Sequence, residues 1–254
     1  MKNILDHRSI RNYKEVPVPE PVLQEILTAA TRASTTGNMQ VYSIVVTTET
    51  PVKEMLWEAH FGQNMVKQAP LVLTFCADFN RFNKWCRLRK ADPGYDNFLS
   101  FMTAAIDALL ASQNCALAAE SHGLGICYLG TTTYNADKII DILNLPEAVV
   151  PVTTLVIGYP AEHPELTDRL PVEAVVHYEK YRDYTPRDID RLYAEKESLE
   201  LTAQLLEVNQ LESLAQIFTQ KRYTRKDNVL FSRKYLEAIE RQGFMNNRDE
   251  PACR

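Results

Sequence analysis

Apolar and polar positions recur along this chain with two alternating periods, which set the order of its elements. After the proline-punctuated stretch 17–21, Val22, Leu23, Ile26, Leu27 and Ala30 fall at helical spacing. The polar run 34–40 reads as a loop, 42–48 is β-branched and apolar enough for a strand, and 51–61 predicts a short helix. A buried strand is expected at 71–77, then a mixed stretch over 78–96 with a turn at Pro93-Gly94. Residues 98–121 carry no Pro or Gly and are apolar nearly all round, so a long buried helix is expected, at the centre or in a subunit interface. His122-Gly123 closes it as a C-cap. A strand over 125–129, a helix over 136–143 and a strand over 150–157 follow. From Tyr178 onward the composition turns polar: 186–208 predicts one charged helix, 231–241 another ending at Gly243, and 219–226 a basic loop between them. The sequence thus predicts an α+β or α/β layer fold over residues 1–178 and a peripheral helical extension over 179–254.

Composition narrows the class. Eight glycines in 254 residues exclude collagen-like and Gly-rich chains, and disfavour a phosphate cradle built from clustered glycines. A formal net charge of −5 disfavours general nucleic-acid binding, which needs a large positive field, but leaves room for a local basic site. The first residues lack the apolar core of a secretory signal, and the apolar runs near 71–77 and 155–157 are too short to cross a bilayer. Cys76, Cys86, Cys115, Cys127 and Cys253 are odd in number and form no C-x-x-C pair. Neither a disulfide framework nor a metal site is expected, and a cytoplasmic location is the default.

Several segments could carry chemistry. His7, Arg8, Ser9 and Arg11 place two guanidinium forks, an imidazole and a hydroxyl within five residues, a donor set suited to phosphate or to developing negative charge. The hydroxyl and amide groups of 34–40, with Thr35 and Gln40, can bond a heterocycle edge or sugar hydroxyls, or can simply connect two elements. Gly123-Leu124-Gly125 opens like a dinucleotide fingerprint, but Tyr128 replaces its third glycine and the segment precedes a strand, so that reading fails. Gly130 could let backbone approach a flat ligand. Arg169, in the loop after the last strand, is a further phosphate candidate. Lys221, Arg222, Arg225 and Lys226 form a basic run, in other chains most often a solvated face. The basic-aromatic stretch 79–89 could stack single-stranded nucleic acid, but a packing helix or lid suits the overall charge better. H-E-x-x-H, G-x-S-x-G and G-x-x-x-x-G-K-[ST] are all absent. With no nucleophile or base advertised, an enzyme of this sequence would borrow its chemistry from a cofactor.

In order and spacing these segments resemble the nitroreductase superfamily of FMN-dependent NAD(P)H oxidoreductases, especially its oxygen-insensitive NADPH nitroreductases and NADPH–flavin oxidoreductases. The resemblance runs from about Asp6 to Tyr178, through His7-Arg8-Ser9-Ile10-Arg11, the loop ending at Gln40, Gly62-Gln63, Phe75-Cys76-Ala77-Asp78, Ala118 to Ser121, Tyr128-Leu129-Gly130, and 164–171. It implies a three-layer α-β-α sandwich around a mostly antiparallel sheet, and a homodimer with one FMN in each interface cleft. His7, Arg8 and Ser9, joined by Arg169, would meet the phosphate and ribityl end of FMN. Arg11 would face the pyrimidine edge and tune the reduced flavin; Gln63 would bond the isoalloxazine. Thr35 would come from the neighbouring subunit, and Tyr128, Leu129, Gly130 and Thr131 would run along the ring. The implied reaction is ping-pong: NADPH or NADH donates two electrons, and a nitroaromatic, quinone or free flavin accepts them, with no metal. A flavin reductase specific for free FMN, or a flavin-binding protein without turnover, are the alternatives.

The chain also departs from the family pattern. Gly130-Thr131-Thr132-Thr133 stands where relatives show a Gly pair and an Arg, and Thr167 stands where a phosphate-binding Lys is usual. Lys221, Arg222 and Arg225 lie near the position at which relatives hold the NADPH 2′-phosphate.

Overall fold

Leu71–Asp78 is buried at every position, and the reason is topological. In the computed structural model, which describes residues 2–247, this strand lies inside a four-stranded antiparallel sheet of order β1-β2-β4-β3. The strands are β1 (Tyr42–Thr47), β2 (Leu71–Asp78), β3 (Gly125–Leu129) and β4 (Val149–Gly158). Cys253 lies outside the described residues.

Among the described residues eleven helices surround or follow the strands. They are α1 (Lys2–Leu5), α2 (Glu20–Ala30), α3 (Thr50–Ala59), α4 (Met65–Gln68), α5 (Asn80–Leu88), α6 (Phe98–Ser121), α7 (Ala136–Ile142), α8 (Pro186–Ser198), α9 (Glu200–Asn209), α10 (Leu214–Ile217) and α11 (Arg225–Arg241). The two faces of the sheet carry different partners because successive strand residues point to opposite sides. Leu71, Leu73, Phe75, Leu155 and Ile157 pack with Leu23 and Ile26 of α2 and Ala108, Ala111 and Cys115 of α6. Val72, Val156, Cys127 and Leu129 pack the other way, against Leu56 of α3, Val66 of α4 and Ile139 of α7. This is the expected α-β-α sandwich, and it explains why an antiparallel strand reads as continuously apolar. The ladder slips between Phe75 and Cys76, where Cys76 faces Pro151. Proline has no N–H to offer, so a bulge is where a sheet can hold it.

The expected elements from residue 20 to residue 158 all form. α6 has its predicted bounds and ends as expected: His122 is the C-cap, and Gly123, at φ +73°, takes the left-handed position. Only one side is buried; Phe98, Leu99, Met102, Ile106, Leu109 and Leu110 are exposed. By length and composition α6 could cross a membrane, yet half of its apolar window is buried within the protein. The 79–89 stretch forms helix α5, with Cys86 and Asn83 inward and Trp85 and Leu88 outward.

The chain packs as two units: residues up to Glu165 with those from Phe231 on, and Leu166–Leu230. In the first, the end of α11 returns to the core, with Ile239 and Phe244 beside Phe79 and Phe101. In the second, the single helix expected over 186–208 is two. Leu199 turns extended (ψ 142°), ending α8 and starting α9, and the Thr202 hydroxyl donates to the freed Lys196 carbonyl at 2.8 Å. The last helix starts six residues earlier than the apolar pattern suggests. The Thr224 hydroxyl accepts from the Asp227 amide at 3.1 Å and caps a helix that includes Arg225 and Lys226. Before it, Phe218–Arg222 is a π-turn rather than an open loop, closed by Tyr223 N–H to the Phe218 carbonyl at 2.7 Å.

Candidate functional site

Segment 7–13 runs along the outer edge of β3. Ser9 bridges Ile126 in parallel, the Ile10 amide donates to the Ile126 carbonyl at 2.9 Å, and Tyr13 bridges Pro160. Glycine permits this approach. A Cβ on Gly125 would lie 2.5 Å from Ile10 Cγ1, and one on Gly158 2.9 Å from Tyr13 Cδ1. Ile10 and Tyr13 are buried anchors, while His7, Arg8 and Ser9 stay partly open and Arg11 is exposed.

Two carboxylates fix the segment. Glu162 accepts from the Arg11 amide at 2.6 Å and the Asn12 amide at 3.1 Å. Those backbone donors hold the Glu162 carboxyl below the usual carboxylate range. Glu120, on the last turn of α6, meets His7 Nδ1 at 2.5 Å, which fixes the ring and leaves its Nε2 side for a ligand. The Arg8 guanidinium donates to the Asp6 carbonyl at 2.8 Å, yet its Nε is buried without a partner among the described residues. It lines a cleft of about 200 Å³ with Asn3, Glu120, Gly123 and His163. An orphaned guanidinium N–H beside an open cleft suits an anionic acceptor.

A second cluster forms where α3 meets the turn after β3. Phe61 and Gly62 take left-handed backbone, φ 56° and 71°, and swing Gln63 back toward the sheet. Gln63 Nε2 donates to the Thr131 hydroxyl and to the His60 carbonyl, both at 3.1 Å. His60, the C-cap of α3, is wholly buried with Nδ1 2.8 Å from the same hydroxyl. Gly130 is exposed, and a Cβ there would meet nothing within 4 Å, so open space stands over the turn. Leu129 is buried beneath it, and the Thr132 hydroxyl donates to the Leu129 carbonyl at 2.8 Å. Tyr128 donates to Ser112 at 3.3 Å; burial pushes its phenol up to about 12, keeping it a neutral donor.

Burial also drives the His60 imidazole down to about 4 from 6.5. The unfolded chain therefore binds the proton first as pH falls, and the His60 contribution is complete only above about pH 6.5. Stability should drop by about 2 kcal/mol between pH 7 and pH 5 from this residue. Urea unfolding at the two pH values checks this: His60→Gln should flatten the difference, and an equal drop in that variant would refute the assignment.

The loop with Thr35 and Gln40 is held from inside. Asp107, fully buried on α6, accepts from the Thr36 amide at 2.9 Å and the Val41 amide at 3.4 Å. Gly37, Asn38 and Gln40 all take positive φ, Gln40 Nε2 bonds Asn38 Oδ1 at 3.0 Å, and the Gln40 carbonyl accepts from Arg81. Among the described residues no hydrogen bond joins this loop to segment 7–11 or to Gln63 and Thr131. In the second unit, Arg169 folds onto its own loop, donating to the Thr167 hydroxyl at 2.7 Å and the Asp168 carbonyl at 2.9 Å. Arg222 lies over the Phe218 ring at 5.6 Å on the π-turn beside Lys221, and Arg225 opens α11. No cluster of metal-ligating side chains occurs among the described residues.

Sequence reasoning missed Glu120, Glu162, Asp107 and His60. Each is a polar group that holds a candidate binding segment from behind, and local pattern carries no mark of that role.

The sequence pattern of the nitroreductase family matches residues 4–159. An FMN reductase [NAD(P)H] of Bacillus subtilis (strain 168) is 38% identical over 71% of this chain and 74% of its own length. An oxygen-insensitive NADPH nitroreductase of Salmonella typhimurium is 36% identical over 69% of this chain and 72% of its own. Among solved structures, one from Bacteroides fragilis NCTC 9343 superposes with a TM-score of 0.95 at 53% identity, covering 97% of this chain and all of that one. The NADPH:FMN oxidoreductase of Vibrio harveyi, complexed with NAD+, gives 0.80 at 28% identity, covering 97% of this chain and 98% of that one.

Proposed function

The chain belongs to the nitroreductase family, and from that premise we propose that it is an FMN-dependent NAD(P)H oxidoreductase reducing nitroaromatics, quinones or flavins as a cytoplasmic homodimer. The observation that carries the reading is the buried, unpartnered Arg8 Nε beside an open cleft, on a segment clamped by Glu120 and Glu162. The residues present fit FMN: guanidinium, imidazole and hydroxyl donors for its phosphate end, and an uncovered Gly130 turn for a flat ring.

When bound, FMN would supply the two-electron chemistry, reduced by NAD(P)H in one half-reaction and reoxidised by the acceptor in the other. The protein's part is binding and electrostatics. His7, Arg8 and Ser9 hold the phosphate and ribityl end. Arg11, its backbone pinned by Glu162 and its side chain exposed, offers positive charge where a reduced ring gains electrons. Gln63, Tyr128, Leu129, Gly130 and Thr131 support the ring. The assignments of Thr35, Gln40, Thr167 and Arg169 rest on the resemblance alone. A dimer agrees with the uncovered apolar strip on α6.

The purified protein should be yellow, release FMN on denaturation, and bleach with NADPH in the absence of oxygen. Bound flavin that NAD(P)H fails to bleach would make it a flavin-binding protein without turnover, and a colourless protein that FMN does not restore would refute the reading. Arg8→Ala should raise the FMN Kd about ten- to a hundredfold, the loss of one charge-assisted hydrogen bond.

The donor preference is proposed to reside in Lys221, Arg222 and Arg225. Lys221→Ala/Arg222→Ala should lower kcat/KM for NADPH about tenfold relative to NADH, and an unchanged ratio would remove these residues from the site.

A further inference from the structure

Thr131 is held by two partners that leave its hydroxyl hydrogen uncommitted. Gln63 spends both amide hydrogens, one on the His60 carbonyl and one on Thr131 Oγ1. His60 Nδ1 lies 2.8 Å from that same oxygen, while its Nε2 is buried without a partner. A neutral imidazole has one N–H and one lone pair. Placing the hydrogen on Nε2 would strand a buried donor and leave Nδ1 to take the Thr131 proton. Placing it on Nδ1 strands only an acceptor, the more readily tolerated orphan. In that arrangement Thr131 Oγ1 accepts from Nδ1–H and from Gln63, both lone pairs are filled, and its O–H hydrogen has no acceptor among the described residues. The next residue back, Gly130, borders open space.

We propose that His60 and Gln63 are positioning residues that make the Thr131 hydroxyl a pre-oriented hydrogen-bond donor to an acceptor atom on the ring of the bound flavin. The inference rests on the reading above that FMN lies over the Gly130 turn. A donor already oriented loses little rotational freedom on binding, so its bond contributes more nearly its full worth. It also strengthens as electron density on the ring rises, so it should bind the reduced cofactor more tightly than the oxidised one.

The test titrates apoprotein with FMN by fluorescence and measures the midpoint potential of the bound flavin. Thr131→Val, which keeps the shape and loses the hydroxyl, should raise the FMN Kd about three- to tenfold and lower the potential. Thr131→Ser should restore both to within twofold. His60→Leu should act like Thr131→Val, whereas His60→Asn, whose amide can reproduce the Nδ1–H donor, should stay near wild type. Because His60→Leu could perturb folding, its melting temperature is compared with that of His60→Asn, and Thr131→Val decides alone if His60→Leu melts early. Wild-type Kd and potential in Thr131→Val would overturn this inference and leave the FMN reading intact. Failure of the wild-type protein to bind FMN would overturn both.

Discussion

Gly125→Val is expected to strip FMN from the protein while leaving the fold in place. The added Cβ would sit 2.5 Å from Ile10 Cγ1 and 2.7 Å from Ile10 Cβ, and the branched methyls would add to the collision. Ile10 is 5% exposed and cannot swing into solvent without vacating the core. The neighbours able to give way are the segment that carries His7, Arg8, Ser9 and Arg11, and the edge of β3 it lies on. Overpacking of this kind costs about 1–3 kcal/mol, a fall of several degrees in Tm for a chain this size. The larger effect falls on the ligand, because the donors shift together and each misplaced donor forfeits its bond. FMN Kd should rise at least about a hundredfold. Ile10→Ala should rescue only partly, since Ile10 Cβ is itself in the way. Gly94→Ala, where a Cβ meets nothing within 4 Å, is the matched control. Wild-type FMN affinity in Gly125→Val would show that the segment does not hold the cofactor.

Ile106→Glu should split the proposed dimer. Ile106 stands in mid-helix on the outward strip of α6, 49% exposed, with Leu109 at 47% and Leu110 at 43%. In a two-fold interface the same residue enters from both subunits, so one substitution buries two unpaired carboxylates. Breaking complementarity with a buried charge costs about 3–5 kcal/mol each, enough to raise the dimer Kd by three orders of magnitude or more. Sedimentation at micromolar concentration should show a monomer. FMN content should fall with it if Thr35 reaches the neighbouring subunit's cofactor. Wild-type sedimentation in Ile106→Glu would mean that this strip does not form the interface.

The sandwich was legible because strong, local signals agree. β2 is a nearly continuous apolar run broken only by Thr74 before its closing Asp78, α6 lacks any helix breaker over 24 residues, and Gly123 stops it. Where tertiary forces override local pattern, the sequence misled. Nothing near Leu199 announces a break, because the break is made by Thr202 turning inward on the freed carbonyl. Arg225 and Lys226 look like loop because basic residues sit poorly at a helix N-terminus, yet the Thr224 cap outweighs them. The outward side of α6 cannot be told from its buried side by composition, since both are apolar, and the pattern leaves core and subunit interface open. The site divides in the same way. His7, Arg8, Ser9 and Arg11 stand out by type and spacing and Gln63 only through the family resemblance, whereas Glu120 and Glu162 meet their partners 113 and 151 residues away.

Those separations bear on the order of synthesis. Segment 7–13 is made before β3, Pro160 and Glu162, and has nothing to rest on until they have followed. Its docking closes some of the longest loops in the first unit, so it belongs among the last steps of folding. A growing chain would thus carry His7, Arg8 and Arg11 unplaced until Glu162 is made, and, if they hold the cofactor as proposed, its capture would report that the sheet is complete. On that proposal, loading with flavin would act as a checkpoint on the fold.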